Sequence, residues 1–456
     1  MKQLHLFFVL VFATIASTSC VSPTVKSNDA TGWDKVPEIL KNISEPVFAD
    51  AVYNILDYGA TPSETIDSRP AILKAINECN RNGGGKVLIP AGTFFVKGPI
   101  VLKSHVNLHL EEQARLEFST VPEDYLPMVL TKWEGTECFN YSPFIYSYQC
   151  TNVALTGKGT IDGNGAAVFN TWKALERPAM DRLRQMGNDT VPVYERTFGE
   201  GWYLRPCMIQ FYGCNNVLVE GVQIYDSPFW IIHPVFCDNV IVRDVYIESF
   251  NYNNDGCDPE SSTNVLIENA HFNVGDDGIA IKSGRDQDGW RIGQATESVI
   301  VRNCHFANWA ITIGSEMSGG VRDIYIEDCK IDSCRNGIYF KSNLDRGGFF
   351  ENLYMRRIHA DICLWGMVNF RTDYHGYRGG NYPTLFRNIT IEDVTCNRVD
   401  SVAIMANGVP EAKLHNITLR NIHVKQSPKA TQMKNVVNLV LDNVTVNGKQ
   451  VTSENE

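Results

Sequence analysis

From about residue 150 the chain alternates apolar and polar residues in short runs. Each run opens on Asn, Asp or Ser followed by Val, Ile or Leu. The openings are Asn152-Val153, Asn216-Val217, Asn239-Val240, Asn264-Val265, Ser298-Val299, Asp323-Ile324, Asn352-Leu353, Asn388-Ile389 and Asn416-Ile417. From Asn216 onward they are 23, 25, 34, 25, 29, 36 and 28 residues apart. A period of two within β-branched runs predicts strands, not helices. Several short strands per irregular unit predict an all-β fold, a parallel β-helix whose coils stack on one another. The units are shorter than a propeller blade and lack the Leu ladder of a leucine-rich repeat. Ahead of them, residues 68–80 read as a helix that caps the end of the stack.

Stacking sets residues of neighbouring coils about 4.8 Å apart, so the second strands can be overlaid. Cys257, Ile279, Ile311 and Ile338 form one column, and Ile281, Ile313 and Phe340 another; both must face inward. The alternate positions face outward. They hold His233, Asp258, Thr312 and Tyr339, then Glu260, Lys282 and Lys341. The outer face is either a groove for an extended polymer or a decorated solvent face.

Carboxylates concentrate at one spot on that face. Asp255 and Asp277 fall at the same place in successive coils, with Asp276 adjoining. Crowded like charges raise a carboxyl pKa, as general acid catalysis requires. On spacing alone the cluster suits either acid–base chemistry or calcium.

Composition narrows the partners. With 44% apolar and 20% charged residues the chain is globular, and a net charge of −11 argues against nucleic acid. Residues 1–20 read as an export leader with a basic start, an apolar run over 6–15 and small residues before Cys20. Cys20 stands where a lipoprotein signal places its lipidated cysteine, predicting the periplasm or outer-membrane surface of a Gram-negative bacterium. Residues 21–47 are expected to be a tether, 48–446 the catalytic β-helix and 447–456 a tail. The other twelve cysteines form no CxxC pair, so no metal is expected and they read as small buried apolar residues.

At these motifs the sequence resembles glycoside hydrolase family 28, the polygalacturonases. The resemblance rests on Asn253-Asn254-Asp255-Gly256-Cys257-Asp258 and on Gly275-Asp276-Asp277. It extends to the stretch 311–320, to Ser227-Pro228-Phe229-Trp230 with His233, and to Asp57-Tyr58-Gly59-Ala60 in the N-terminal part. It implies a right-handed single-stranded parallel β-helix, no cofactor, and inverting hydrolysis of galacturonosidic linkages in a pectic polysaccharide. Asp276 would be the general acid, with Asp255 and Asp277 holding and activating water. Asn253, His233, Lys282, Asn308, Tyr339 and Lys341 would contact substrate.

Two positions depart from the family pattern. Asn308 stands where the family has a histidine, and Tyr339 replaces an arginine that grips a uronate carboxylate. Lys282 and Lys341, with Arg285 and Arg346 behind them, are the local cations expected to offset the acidic chain. An insertion over 166–196 could wall off one end of the groove. The reading is an exo-acting, monomeric enzyme on homogalacturonan or rhamnogalacturonan. Its rivals are a calcium-dependent pectate lyase and a non-catalytic glycan-binding β-helix.

Overall fold

The computed structural model describes residues 32–165 and 167–452; the expected leader and Cys20 lie outside them. The chain winds into a parallel β-helix with three faces. The first face stacks Gly85–Ile89, Val106–Leu110, Thr151–Gly157, Asn215–Glu220, Asp238–Arg243, Thr263–Glu268 and Thr296–Arg302 in parallel register. The third face stacks Ile145–Tyr148, Ile209–Tyr212 and Ile232–Val235, then continues through Ile279–Ile281 and Ile311–Ile313. Past Val321 the strands run on around the corners, as in Val321–Lys341 and Phe349–Arg371.

The repeating Asn has a backbone cause. Asn152, Asn216, Asn239, Asn264, Ser298, Asp323, Asn352, Asn388 and Asn416 all turn a corner at positive φ, between 51° and 58°. Asn and Asp tolerate that left-handed conformation better than other residues with a Cβ. Their amides also bond along the stack: Asn216 donates to Asn152 at 2.9 Å and Asn239 to Asn216 at 2.7 Å.

The register matches the overlay. Cys257 pairs with Ile279, Ile279 with Ile311 and Ile311 with Ile338, all in one buried core. Twelve cysteines among the described residues are free and buried. The capping helix is Arg69–Arg81, with Ala71, Ile72, Ala75, Ile76 and Cys79 packed on the end of the core.

Part of the stretch expected to be a tether is folded. Helices Gly32–Lys35 and Val36–Asn42 lie over the outer side of the first face. There Ala154, Leu218, Ile241, Leu266, Ile300, Tyr325 and Tyr354 form one outward column, coil by coil. Trp33 and Ile39 pack on Leu266, Ile300 and Tyr325, while Ile43 and Phe48 pack on Ala154, Leu218 and Ile241. An apolar outer column needs a cover, and this strap provides it. The C-terminal residues expected to be a tail include a short strand, Lys449–Gln450, paired antiparallel with the last coil.

Candidate active site

The third face and the corner leading into it carry the carboxylates. Asp255 and Asp277 stack one coil apart, since Cys257 pairs with Ile279. Each is followed by glycine for a spatial reason. A Cβ on Gly256 would lie 2.4 Å from the Phe272 ring, and one on Gly278 2.4 Å from the Phe306 ring. The corner thus brings the aspartate backbones close to the next coil, and no larger residue fits behind them.

Their environments differ. Asp277 accepts from Thr312 Oγ1 at 2.6 Å and from Lys341 Nζ at 2.6 Å, so each oxygen holds one donor and keeps a second lone pair. Asp276 is half-buried and bonded to the Asp277 backbone N–H at 3.0 Å. Burial, and then the Asp277 charge, push its pKa up. Asp255, 3.2 Å from Lys282 Nζ, is also pushed up by burial and by Asp276 and Asp277, against the pull of Lys282. Asp258 lies fully buried behind them with Lys282 at 3.6 Å, and burial raises its pKa too. These four aspartates meet only two lysines directly, and such a crowded cluster retains protons, so acid and base can coexist in it.

Asp255, Asp276, Asp277, Lys282 and Lys341 form the floor of a cavity of about 340 Å³. One wall is the insertion: Lys173, then Arg177, Met180 and Arg184 of the helix Arg177–Asn188. The other is the loop from Tyr374 to Arg378. The walls meet. Arg378 pairs with Asp181, and Arg184 donates to the Gly376 carbonyl at 2.9 Å. Arg184 also holds Asp286 at 2.6 Å and Asp345 at 2.9 Å. The insertion is anchored to the floor through Asn253, whose amide oxygen accepts from Lys173 at 2.8 Å and Arg205 at 2.7 Å.

Of the residues expected to contact substrate, Asn253, Lys282 and Lys341 line this cavity, along with all three aspartates. The two lysines are not free cations. Lys282 sits among Asp255, Asp258 and Glu316, and Lys341 is locked to Asp277. Arg285 is tied to Glu134 and Glu316, and Arg346 to Asp286.

His233, Asn308 and Tyr339 do not line the cavity. His233 faces outward from its coil, but the antiparallel hairpin Val129–Trp133 with Thr136–Asn140 roofs that end of the face. Its Nε2 bonds Glu260 at 2.8 Å, and burial lowers its pKa. Burial works against ionisation of Glu260, but Lys132 at 2.8 Å and His233 hold its pKa down at about 2. Asn308 donates to the Val274 carbonyl at 3.0 Å. Tyr339 is buried edge-on beneath Tyr374, ring centroids 6.3 Å apart, and Tyr374 takes the cavity position.

Residues that the repeat did not mark complete the site. Glu316 occupies the cavity, and burial is overcome there by Lys282, Arg285 and Arg346, which hold its pKa down. It lies two residues past Gly314, which falls in the same column as Lys282 and Lys341, a register from which the sequence could have found it.

Residues 79–445 match glycosyl hydrolases family 28. The chain belongs to that family. It is similar to a hyperthermoactive exopolygalacturonase from Thermotoga maritima, at 35% identity and a TM-score of 0.85, over 90% of this chain and 96% of that one. It is 25% identical to an endo-polygalacturonase of Pectobacterium parmentieri over 87% of this chain and 92% of the relative. A probable polygalacturonase of Vitis vinifera is 26% identical, over 83% and 75% respectively. Membership makes the protein a glycosidase and favours hydrolysis over the lyase and non-catalytic readings.

Proposed function

We propose that the protein is an exo-acting galacturonosidase that removes sugars from the end of a pectic chain. The observation that carries the exo mode is the joined wall. An open groove would let a polymer pass through, whereas the contacts of Asp181 with Arg378 and of Arg184 with Gly376 close one end over the carboxylates.

The terminal sugar fills the cavity with its glycosidic oxygen at Asp276. Asp276, its pKa raised by burial and by Asp277, donates a proton to the leaving oxygen. A water held by Asp255 and Asp277 attacks the anomeric carbon from the opposite face and gives up its proton to them, with inversion. Lys341 and Thr312 fix Asp277 in place. Arg177 and Arg378 share the one carboxylate of Asp181, and Lys173 and Arg205 share that of Glu176, so both groups keep an excess of positive charge for the uronate carboxylate.

The test is product analysis on homogalacturonan and rhamnogalacturonan oligosaccharides side by side, with proton NMR of the first-formed anomer. Release of saturated terminal galacturonate with inverted configuration is expected. Internal cleavage from the first turnovers, retention of configuration, or unsaturated ends would overturn the reading. Export and lipid attachment at Cys20 form part of the same proposal and rest on the sequence of the leader. Fatty-acid labelling that survives in the wild type and is lost in Cys20→Ala is the expected result.

A further inference from the structure

Outside the cavity, three side chains form a cluster that the chemistry above leaves without a task. The Arg335 guanidinium lies 4.5 Å from the Trp309 ring and 5.0 Å from the Trp365 ring, with the indoles 6.2 Å apart and nearly perpendicular at 86°. Trp365 is 45% exposed, and Arg335 is exposed as well. None of the three lines the cavity.

The register ties this cluster to the catalytic corner. Ile279 pairs with Ile311 and Ile311 with Ile338, which sets Trp309 one coil from Asp277 and Arg335 two coils from Asp276. Asn336 pairs with Gly366, which carries the row one coil further, to Trp365. At about 4.8 Å per coil, Arg335 lies roughly 10 Å along the axis from Asp276. That is roughly the span of two linked sugar rings.

Arg335 differs from the arginines around the active site. Arg184, Arg285 and Arg346 are spent on buried carboxylates. Arg335 makes no ion pair or hydrogen bond among the described residues, and its contacts are the two indoles. Cation–π contact occupies the faces of the guanidinium and leaves its N–H edge for an acceptor. A planar fork presented in this way suits a carboxylate bound bidentately, and an exposed indole suits the C–H face of a sugar ring. Tyr339, at the position where an arginine was expected, is buried and grips nothing from solvent.

We propose that Trp309, Arg335 and Trp365 form a further subsite that holds a uronate sugar of the substrate chain outside the cavity, with Arg335 clamping its carboxylate. This inference rests on the galacturonide reading. The subsite serves chains long enough to reach it and gives the enzyme a preference for longer, de-esterified ends.

The experiment measures kcat/KM for galacturonate oligomers of two to six units, as free acids and as methyl esters, in wild type, Arg335→Gln, Arg335→Lys and Trp365→Ala. Calorimetric binding of the same oligomers to Asp276→Asn, with and without Arg335→Gln, provides a readout apart from turnover. The loss in Arg335→Gln is expected to grow with length, from at most about twofold on the dimer to roughly tenfold or more on the longer acids. Methyl-esterified oligomers should lose little, and Arg335→Lys should recover only part, because a point charge replaces the fork. A loss independent of length, an equal loss on the esters, or no loss at all overturns the subsite while leaving the galacturonosidase standing. If the wild type hydrolyses no galacturonide of any length, the proposed function falls and the subsite falls with it.

Discussion

Arg184 offers a direct test of how the closed end of the cavity is held. Its buried guanidinium donates to Asp286, Asp345 and the Gly376 carbonyl at 2.6, 2.9 and 2.9 Å. Arg184→Met keeps an apolar stem and removes all three bonds. Asp286 retains Arg346 at 2.6 Å. Asp345 keeps only the backbone N–H groups of Arg378 and Gly380, at 2.7 and 2.9 Å. Losing one partner of a buried pair costs about 3–5 kcal/mol, and the surviving donors place this case near 3 kcal/mol. The loop from Tyr374 to Arg378 keeps Asn343 on its Tyr374 and His375 carbonyls, but its link to the helix wall then depends on the exposed pair of Asp181 with Arg378, worth about 0–1 kcal/mol. A lower melting temperature is expected together with a changed product pattern, in which terminal monosaccharide gives way to mixed oligomers as the end of the cavity opens. Thermal unfolding and chromatography of polygalacturonate digests, run below the variant's melting temperature, read both. An unchanged melting temperature with unchanged products would refute the reasoning that joins the two walls through this residue.

Other expectations follow from the same geometry. Asp276→Asn should lower kcat by about 10³-fold in steady-state assays, with the fold intact by circular dichroism. The acid must stay protonated and its pKa is raised, so the alkaline limb of kcat/KM should lie above the ordinary carboxylate value of about 4, with activity lost as pH rises through it. Lys341 pulls Asp255 and Asp276 down, so Lys341→Met should move both limbs of the pH–rate profile to higher pH. Asn216→Ala places a Cβ-bearing residue without a polar side chain at φ 55° and removes its bonds to Asn152 and Asn239. It should cost about 2–3 kcal/mol, seen as a lower melting temperature. A thiol reagent should modify none of the twelve buried cysteines in the native protein and all of them after unfolding.

The repeat was legible because one backbone requirement recurs in every coil. A left-handed corner selects Asn or Asp, and the strand after it must alternate. That pattern fixes which residues point inward, and the register of Cys257, Ile279, Ile311 and Ile338 follows from it. It cannot say what lies over the residues that point outward. His233 and Glu260 face out yet are fully buried, because a hairpin more than ninety residues earlier covers them. Lys282 and Lys341 face out yet are neutralised by carboxylates from neighbouring coils. The walls of the cavity come from two aperiodic segments, 173–184 and 374–378, which meet only in the folded chain. The strap did leave a trace. In Val217-Leu218-Val219, Val240-Ile241-Val242 and Val299-Ile300-Val301 the outward residue is as apolar as its inward neighbours, a sign that something covers that face.

That strap changes how the stack behaves as a whole. Coils that touch only their neighbours melt piecemeal, each boundary independent of distant ones. Here Ser44 bonds Asn239 at 3.0 Å, while Trp33 bonds Glu392 at 3.2 Å and meets Tyr325 edge-on and Tyr354 at a tilt. A single short segment therefore clasps coils that share no direct contact, and loosening any of them loosens its hold on the rest. Synthesis runs the other way. The residues of the strap emerge before every coil they bind, and their full set of contacts exists only once the chain has wound as far as Glu392. The strap thus acts as a closing latch, engaging last and registering that the stack beneath it is complete.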